Sequence, residues 1–437
     1  MRSRTPLILF IILLVLIGTI YFLSHYQKQK KARENLLVKL EHEVKKVEII
    51  RRDGANLVFK REAGRWMMEK PKKVPADGYI LSRIADEVKE LRYRHLVEEK
   101  ATDLKKYGLA DPRAVIKVWE RGNPKPVVIK IGDKNPMDAN RYAMVEGDGR
   151  VVILPSLFTD LALKSPNDYR DKKIARFDES LAEKIQVQGK TSYTLVKKGD
   201  DWWMTQPVNS MADNYKCEDL LYTLTGTDAK AFVKDSAEEK DLKEYGLDAP
   251  DLVIRIFLKG KKEPIELKLS KKDDKIYLLK DNMIVEVDDT LWSTFSRDPR
   301  ELREKKLVKF YSFDVQGFTW RRGKEVFQAR KKGKEWEAVK PFQGPLDTDK
   351  VEGFLRNIED LQAQDFIDDP SGFKPKVVVD FKLEKKTQRV EFGEVEGKLV
   401  GRTAGLGYLL KFDRKLSDIF PEDVKSWKKK EKAEKKK

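Results

Sequence analysis

Apolar positions along this chain change their period in a fixed order. In VKKVEII (44–50) and NLVFKRE (56–62) they alternate on either side of Arg51-Arg52-Asp53-Gly54-Ala55. Alternation around a Gly-containing turn predicts a β-hairpin. From residue 80 the spacing becomes helical: Ile80, Leu81, Ile84, Val88 and Leu91 lay one apolar stripe along one face. Alternation then returns in AVIKVWE, PVVIKIG, RYAMVEG and RVVILP, which predicts strands with one face on a core and one in water. A second pass reads LVIRIFL, PIELKLS, KIYLLK and MIVEVD, and a third carries the helical stripe Val351, Phe354, Leu355, Ile358 and Leu361.

Punctuation residues recur at matching points. Trp66, Pro71 and Asp77 are followed by Trp202, Pro207 and Asp213 and by Trp336, Pro341 and Asp347, at offsets of 136 and 134 residues. Such a period predicts repeated supersecondary units. Each Trp follows a Gly turn and is expected to anchor sheet to helix in the core. Each Pro lacks a ladder donor and ends its strand, and each Asp is placed to cap the helix that follows. A sugar- or base-stacking Trp and a catalytic Asp are the functional alternatives, but a role in building the repeat explains all three copies.

A second motif has its strongest identity in the first two copies: Asp103-Leu104-Lys105-Lys106-Tyr107-Gly108-Leu109-Ala110-Asp111-Pro112 and Asp241-Leu242-Lys243-Glu244-Tyr245-Gly246-Leu247-Asp248-Ala249-Pro250. It predicts a short helical turn closed by a left-handed Gly and a Pro that opens a strand. The third copy keeps only Ser371-Gly372-Phe373-Lys374-Pro375. Amphipathic stretches at 157–163 and 291–295 lead to the related closers Tyr169-Arg170-Asp171-Lys172-Lys173-Ile174 and Leu302-Arg303-Glu304-Lys305-Lys306-Leu307, which place boundaries near 174 and 307.

The 437 residues therefore divide into a segment 1–43, repeats at 44–174, 175–307 and 308–427, the last divergent, and a basic tail 428–437. The expected class is α+β: three tandem repeats of antiparallel strands with a covering helix, preceded by one transmembrane helix. That helix is expected at Pro6 to Leu23, where eighteen almost uninterrupted apolar residues would span about 27 Å. The run exceeds a typical signal-peptide core, and Ser24-His25-Tyr26 offers no small-x-small cleavage site, so an uncleaved anchor is expected. Arg2 and Arg4 face Lys28, Lys30, Lys31 and Arg33 across it, which leaves the positive-inside votes nearly equal. The expected location is the bacterial inner membrane, single-pass, with the bulk of the chain outside the cytoplasm.

Charge changes the picture little. Of the net +17, residues 1–33 supply six basic and no acidic groups, and the tail has seven Lys against two Glu. The excess thus sits at the ends, where a membrane surface or solvent is the expected partner and nucleic acid is not.

Candidate chemistry is sparse. The three His residues, His25, His42 and His95, give a His-based triad or zinc site little to work with. No GxSxG, P-loop, GxGxxG or HExxH motif occurs. The single Cys217 permits no intramolecular disulfide and is expected in a helix core. No catalytic residue, metal ligand or cofactor is assigned.

Taken together, the apolar N-terminal run, the repeated Trp-x4-Pro-x5-Asp and Asp-Leu-x2-Tyr-Gly-Leu-x2-Pro resemble the bacterial family catalogued as domain of unknown function 4340 (DUF4340). The resemblance covers most of 44–427 and is most specific at the Tyr-Gly-Leu motif. It implies no activity. It implies a protein partner, since proteins of this kind are often encoded beside ATP-driven (ABC-type) transport systems of the gliding-motility type. The expected function is a non-enzymatic scaffold or auxiliary subunit of an envelope complex. A two-carboxylate cell-wall or glycan hydrolase, and a cytoplasm-facing protein binding nucleic acid or anionic lipid, are the alternatives.

Overall fold

A computed structural model describes residues 16–19 and 35–429. The chain divides into two compact units, residues 1–172 and 173–437. In the first, nine antiparallel strands form one sheet in the order Val74–Pro75, Arg65–Lys70, Asn56–Glu62, Val44–Arg51, Ala114–Glu120, Val127–Lys134, Arg141–Val145, Val151–Leu154, His95–Glu98. The first four are a meander, and the chain then crosses the sheet to the far edge before filling the middle. The covering helix Gly78–Lys89 makes that crossing. Its face of Leu81, Ile84 and Val88 is buried in one core with Val47, Ile49, Phe59, Ile116 and Ile129. Strand Leu36–Lys39 pairs with Glu90–Arg92 in a separate two-stranded sheet.

The second unit holds two more nine-stranded sheets with the same strand order, one running from Ala182 to Val287 and one from Gly317 to Lys411. Their covering helices are Asn214–Gly226 and Thr348–Glu359, and each sheet and helix closes its own hydrophobic core. Despite its degraded Tyr-Gly-Leu motif, the third copy has the full sheet. Strand pairing is set by alternation of apolar residues such as Val377, Val379 and Phe381, which the lost motif does not touch.

The expected class requires correction. Antiparallel sheet dominates all three repeats, and no helix among the described residues is long and apolar enough to cross a membrane. The covering helices have 12 or 13 residues, about 20 Å, against a hydrocarbon core of about 30 Å. The transmembrane helix and the single-pass inner-membrane location are therefore not supported. Of the apolar run 6–23, residues 16–19 are helical and the remainder lies outside the described residues, as does the tail beyond Lys429.

Candidate functional site

The recurrent Trp, Pro and Asp meet at one corner of each repeat. Trp66, Trp202 and Trp336 are 4%, 1% and 0% exposed and lie on strands that end one residue before Pro71, Pro207 and Pro341. All three prolines follow cis peptide bonds. The chain then doubles back, and the carbonyl of each Trp accepts from the residue before the Asp: Ala76 at 3.0 Å, Ala212 at 2.9 Å and Leu346 at 2.8 Å. A carboxylate oxygen of Asp77 accepts from the amides of Tyr79 and Ile80, that of Asp213 from Lys216, and that of Asp347 from Lys350. These three carboxylates are committed to orphan N–H groups at helix starts.

Each corner is tied to the end of its own repeat. The main-chain N–H groups of Asp77, Asp213 and Asp347 donate to the carbonyls of Tyr169, Leu302 and Trp427, at 2.7, 2.8 and 2.8 Å. The indole Nε1 atoms of the three Trp residues are buried and have no hydrogen-bond partner. The rings thus serve as apolar bulk.

The Tyr-Gly-Leu turns lie elsewhere, on the opposite half of each sheet. Leu109 N–H returns to the Leu104 carbonyl at 2.9 Å and Leu247 N–H to that of Leu242 at 2.7 Å, across Gly108 (φ 67°) and Gly246 (φ 70°). Pro112 and Pro250 stand two residues before strands Ala114–Glu120 and Leu252–Leu258. Tyr107 packs against Tyr142 with ring centroids 4.9 Å apart, and Tyr245 against Tyr277 at 4.7 Å. The Tyr107 hydroxyl donates to Glu98 at 2.6 Å, a bond that raises its pKa. A Cβ on Gly132 would collide with the Tyr107 carbonyl oxygen. The second repeat has Ser270 at that register position, and its hydroxyl donates to the Tyr245 carbonyl.

The residues singled out in the sequence therefore form two structural clusters in repeats 1 and 2, the first of them also in repeat 3, and no common pocket. Sequence reasoning missed a third cluster, where repeats 2 and 3 meet within the second unit. Arg303, 1% exposed, reaches Asp368 at 2.7 Å and lies over the rings of Phe366 and Tyr408, at 3.8 and 4.9 Å from their centroids. Its Nε and Nη2 are buried without hydrogen-bond partners, so Asp368 balances the charge while the aromatic faces add cation–π attraction. The Met211 N–H donates to the Tyr408 hydroxyl at 3.3 Å, and burial raises the pKa of that phenol. Main-chain bonds add to the seam: Ala363 N–H to the Lys305 carbonyl at 2.8 Å, and a bridge between Lys306 and Gln362.

Above this seam opens a cleft of about 440 Å³, lined among others by Met211, Glu304, Lys309, Arg389, Thr403 and Tyr408. Lys309 bonds Asp201 at 2.7 Å, which holds that carboxyl below its ordinary range. Among the described residues no group of three or more His, Cys, Asp or Glu is placed to hold a metal ion. The arrangement offers paired charges and aromatic edges suited to binding. The signal that could have found it was the Arg shared by both closers, Arg170 and Arg303, at a position that a solvent-facing residue would not need to keep.

The profile of the family described as "Domain of unknown function (DUF4340)" matches residues 66–233 and 202–384, and the chain belongs to that family. Both windows open on a repeat Trp and run into the following repeat. No curated protein matches. Among solved structures, the chain is similar to a DNA polymerase sliding clamp from Pseudomonas aeruginosa at 8% identity, covering 85% of this chain and 92% of that one with a TM-score of 0.16. The same clamp with ligand gives 8%, 88%, 96% and 0.15. Likenesses this slight carry no argument.

Proposed function

We propose that this protein is a non-enzymatic scaffold that binds a protein partner as an auxiliary subunit of a larger assembly. The observation that carries this reading is the seam held by Arg303. A buried guanidinium between two aromatic rings and a carboxylate fixes one repeat against the next, and a fixed spacing between modules is what a scaffold must supply. The cap roles of Asp77, Asp213 and Asp347 support the same reading, because they give the recurrent carboxylates a part in building the repeat. An ATP-driven transport assembly, the partner class implied by the family resemblance, is the first to test.

The test is site-specific photo-crosslinking in the native host from Gln388, at the mouth of the seam cleft, in the parent chain and in Arg303→Ala. A discrete product containing a subunit of a transport ATPase, lost in a folded Arg303→Ala protein, is the expected result. Absence of a discrete product, or one indifferent to Arg303→Ala, would overturn the reading.

A further inference from the structure

Strand register allows the three repeats to be compared position by position, and one inward position breaks the pattern. Arg141 pairs with Leu154, two residues before helix Ser156–Ala162, whereas Ile276 pairs with Val287, two residues before helix Asp289–Phe295. In the third repeat Leu399 accepts from Phe412 at the same place. Ile276 and Leu399 are 2% and 0% exposed and belong to their cores. Repeat 1 thus carries a guanidinium where its sister repeats carry core aliphatics.

The Arg141 side chain is 12% exposed, and among the described residues its ion-pair partner is Asp160 at 4.0 Å. Its Nε is buried and has no hydrogen-bond partner. Leaving such a donor unmade is unfavourable, and the fold does not require it, because an aliphatic residue serves in both sister repeats. Arg141 opens onto a cleft of about 420 Å³ whose other lining residues are Arg51, Arg52, Asp53, Arg113 and Leu163.

Carboxylates hold these guanidiniums in place without filling the cleft. Arg51 bonds Asp53 and the Lys164 carbonyl, Arg52 pairs with the Asp111 carboxylate at 3.0 Å and also donates to the Asp111 carbonyl, and Asp133 engages Arg113 through Nε at 2.9 Å. A guanidinium has five donors in a planar fork, and the one or two bonds that each of these makes leave most of its donors for a ligand. By register, repeat 2 has Gly189, Lys190, Asp251 and Ile276 at the four arginine positions, so the set of four belongs to repeat 1.

We propose that this cleft is an oxyanion site that takes a phosphate group, with Arg141 as the buried donor and Arg52 and Arg113 as the forks at the mouth. Planar forks match the oxygen geometry of phosphate, and although Asp53, Asp111, Asp133 and Asp160 each pair with one of the four guanidiniums, Asp53 is the one carboxylate lining the cleft, so its walls present N–H donors rather than net charge to a multi-oxygen anion. The phosphate could belong to a free anion or to a phosphomonoester lipid headgroup, and the same donors would recognise either.

The test titrates the full chain with pyrophosphate at constant ionic strength, beside Arg141→Ile, which installs the residue of repeat 2, and Arg113→Gln. Saturable binding is expected, weakened about tenfold or more in Arg141→Ile and less in Arg113→Gln, with the melting temperature of Arg141→Ile not lowered. Vesicles containing phosphatidic acid distinguish the sources. Retention on vesicles that pyrophosphate competes away assigns the site to a headgroup; pyrophosphate binding without retention assigns it to a free anion. Absence of saturable binding to either, or affinities indifferent to both substitutions, would overturn the proposal.

Discussion

Repeats 2 and 3 carry the same cross-strand ion pair with its polarity reversed. In repeat 2 Arg255 faces Glu266 at 2.6 Å; at the matching register of repeat 3 Asp380 faces Arg389, also at 2.6 Å. One residue away on the same strands, Ile254 and Val379 are both fully buried. The difference separates two kinds of constraint. On the outer face the sign of a pair is free, since either order satisfies both charges and an exposed pair contributes little, and repeat 1 does without one, with Lys117 opposite Val128. On the inner face chemistry is held fixed by packing. Repeat 1 departs from its sisters on that inner face, at Arg141, and so its departure is the informative one.

The sharpest way to break the comparison is to attack an inner position that all three repeats share. Trp336→Ala should cost about 3–5 kcal/mol in denaturant unfolding, whereas Trp336→Phe should cost much less, because the indole Nε1 has no bond to lose. Next, Arg303→Ala should cost about 2–3 kcal/mol and split the unfolding of residues 173–437 into two transitions; a single unchanged transition would show that the seam does not couple the repeats. Third, Gly132→Ala places a methyl against the Tyr107 carbonyl and should cost about 2 kcal/mol. Ser270→Gly at the matching place should cost less than half of that.

Smaller effects test the caps and the outer face. Asp213→Ala should lower stability by about 1 kcal/mol, with Asp213→Asn recovering most of it. The outer pairs should tolerate inversion: Arg255→Glu combined with Glu266→Arg should stay within about 0.5 kcal/mol of the parent, while either single change falls further. Asp380 adds a pH arm. Hydrogen bonds from Arg389 and then Arg321 hold its carboxyl below the ordinary range. Its contribution is therefore present above about pH 4 and is lost as pH falls through the lower folded value. Asp380→Asn should remove that acid-side slope and leave neutral-pH stability within about 1 kcal/mol.

What the sequence made legible follows from where each signal lies. Trp, Pro, Asp and Gly act on their own neighbourhood, by filling a core, ending a strand, capping a helix or closing a turn, so their spacing revealed the repeat. The full set of nine strands and their order were not legible, because the edge strand His95–Glu98 skips the three strands that follow it in the chain to join Val151–Leu154. The ties from Asp77 to Tyr169 and from Asp213 to Leu302 run through main-chain atoms and leave no mark on side-chain identity. The seam was hidden for a related reason: Arg303, Phe366 and Tyr408 are far apart in sequence, and each alone reads as an ordinary residue. Arg141 was hidden because RYAMVEG shows an alternating strand but not which of its faces meets the core. The N-terminal run showed the reverse failure, since strong hydropathy predicted a spanning helix that the described residues do not contain.

The tie between each capping Asp and the carbonyl at the end of its repeat has a consequence for biosynthesis. A chain leaving the ribosome presents the corner first and its acceptor last, so each helix start waits unlatched until nearly a whole repeat has emerged. For the third repeat that acceptor is Trp427. A message that stops short of it would release a product whose final sheet is nearly complete and whose helix has lost its latch. Such a product, with apolar surface still exchanging with solvent, is the kind of substrate that chaperones and proteases select. The codons up to Trp427 therefore decide whether the third repeat latches its own helix start.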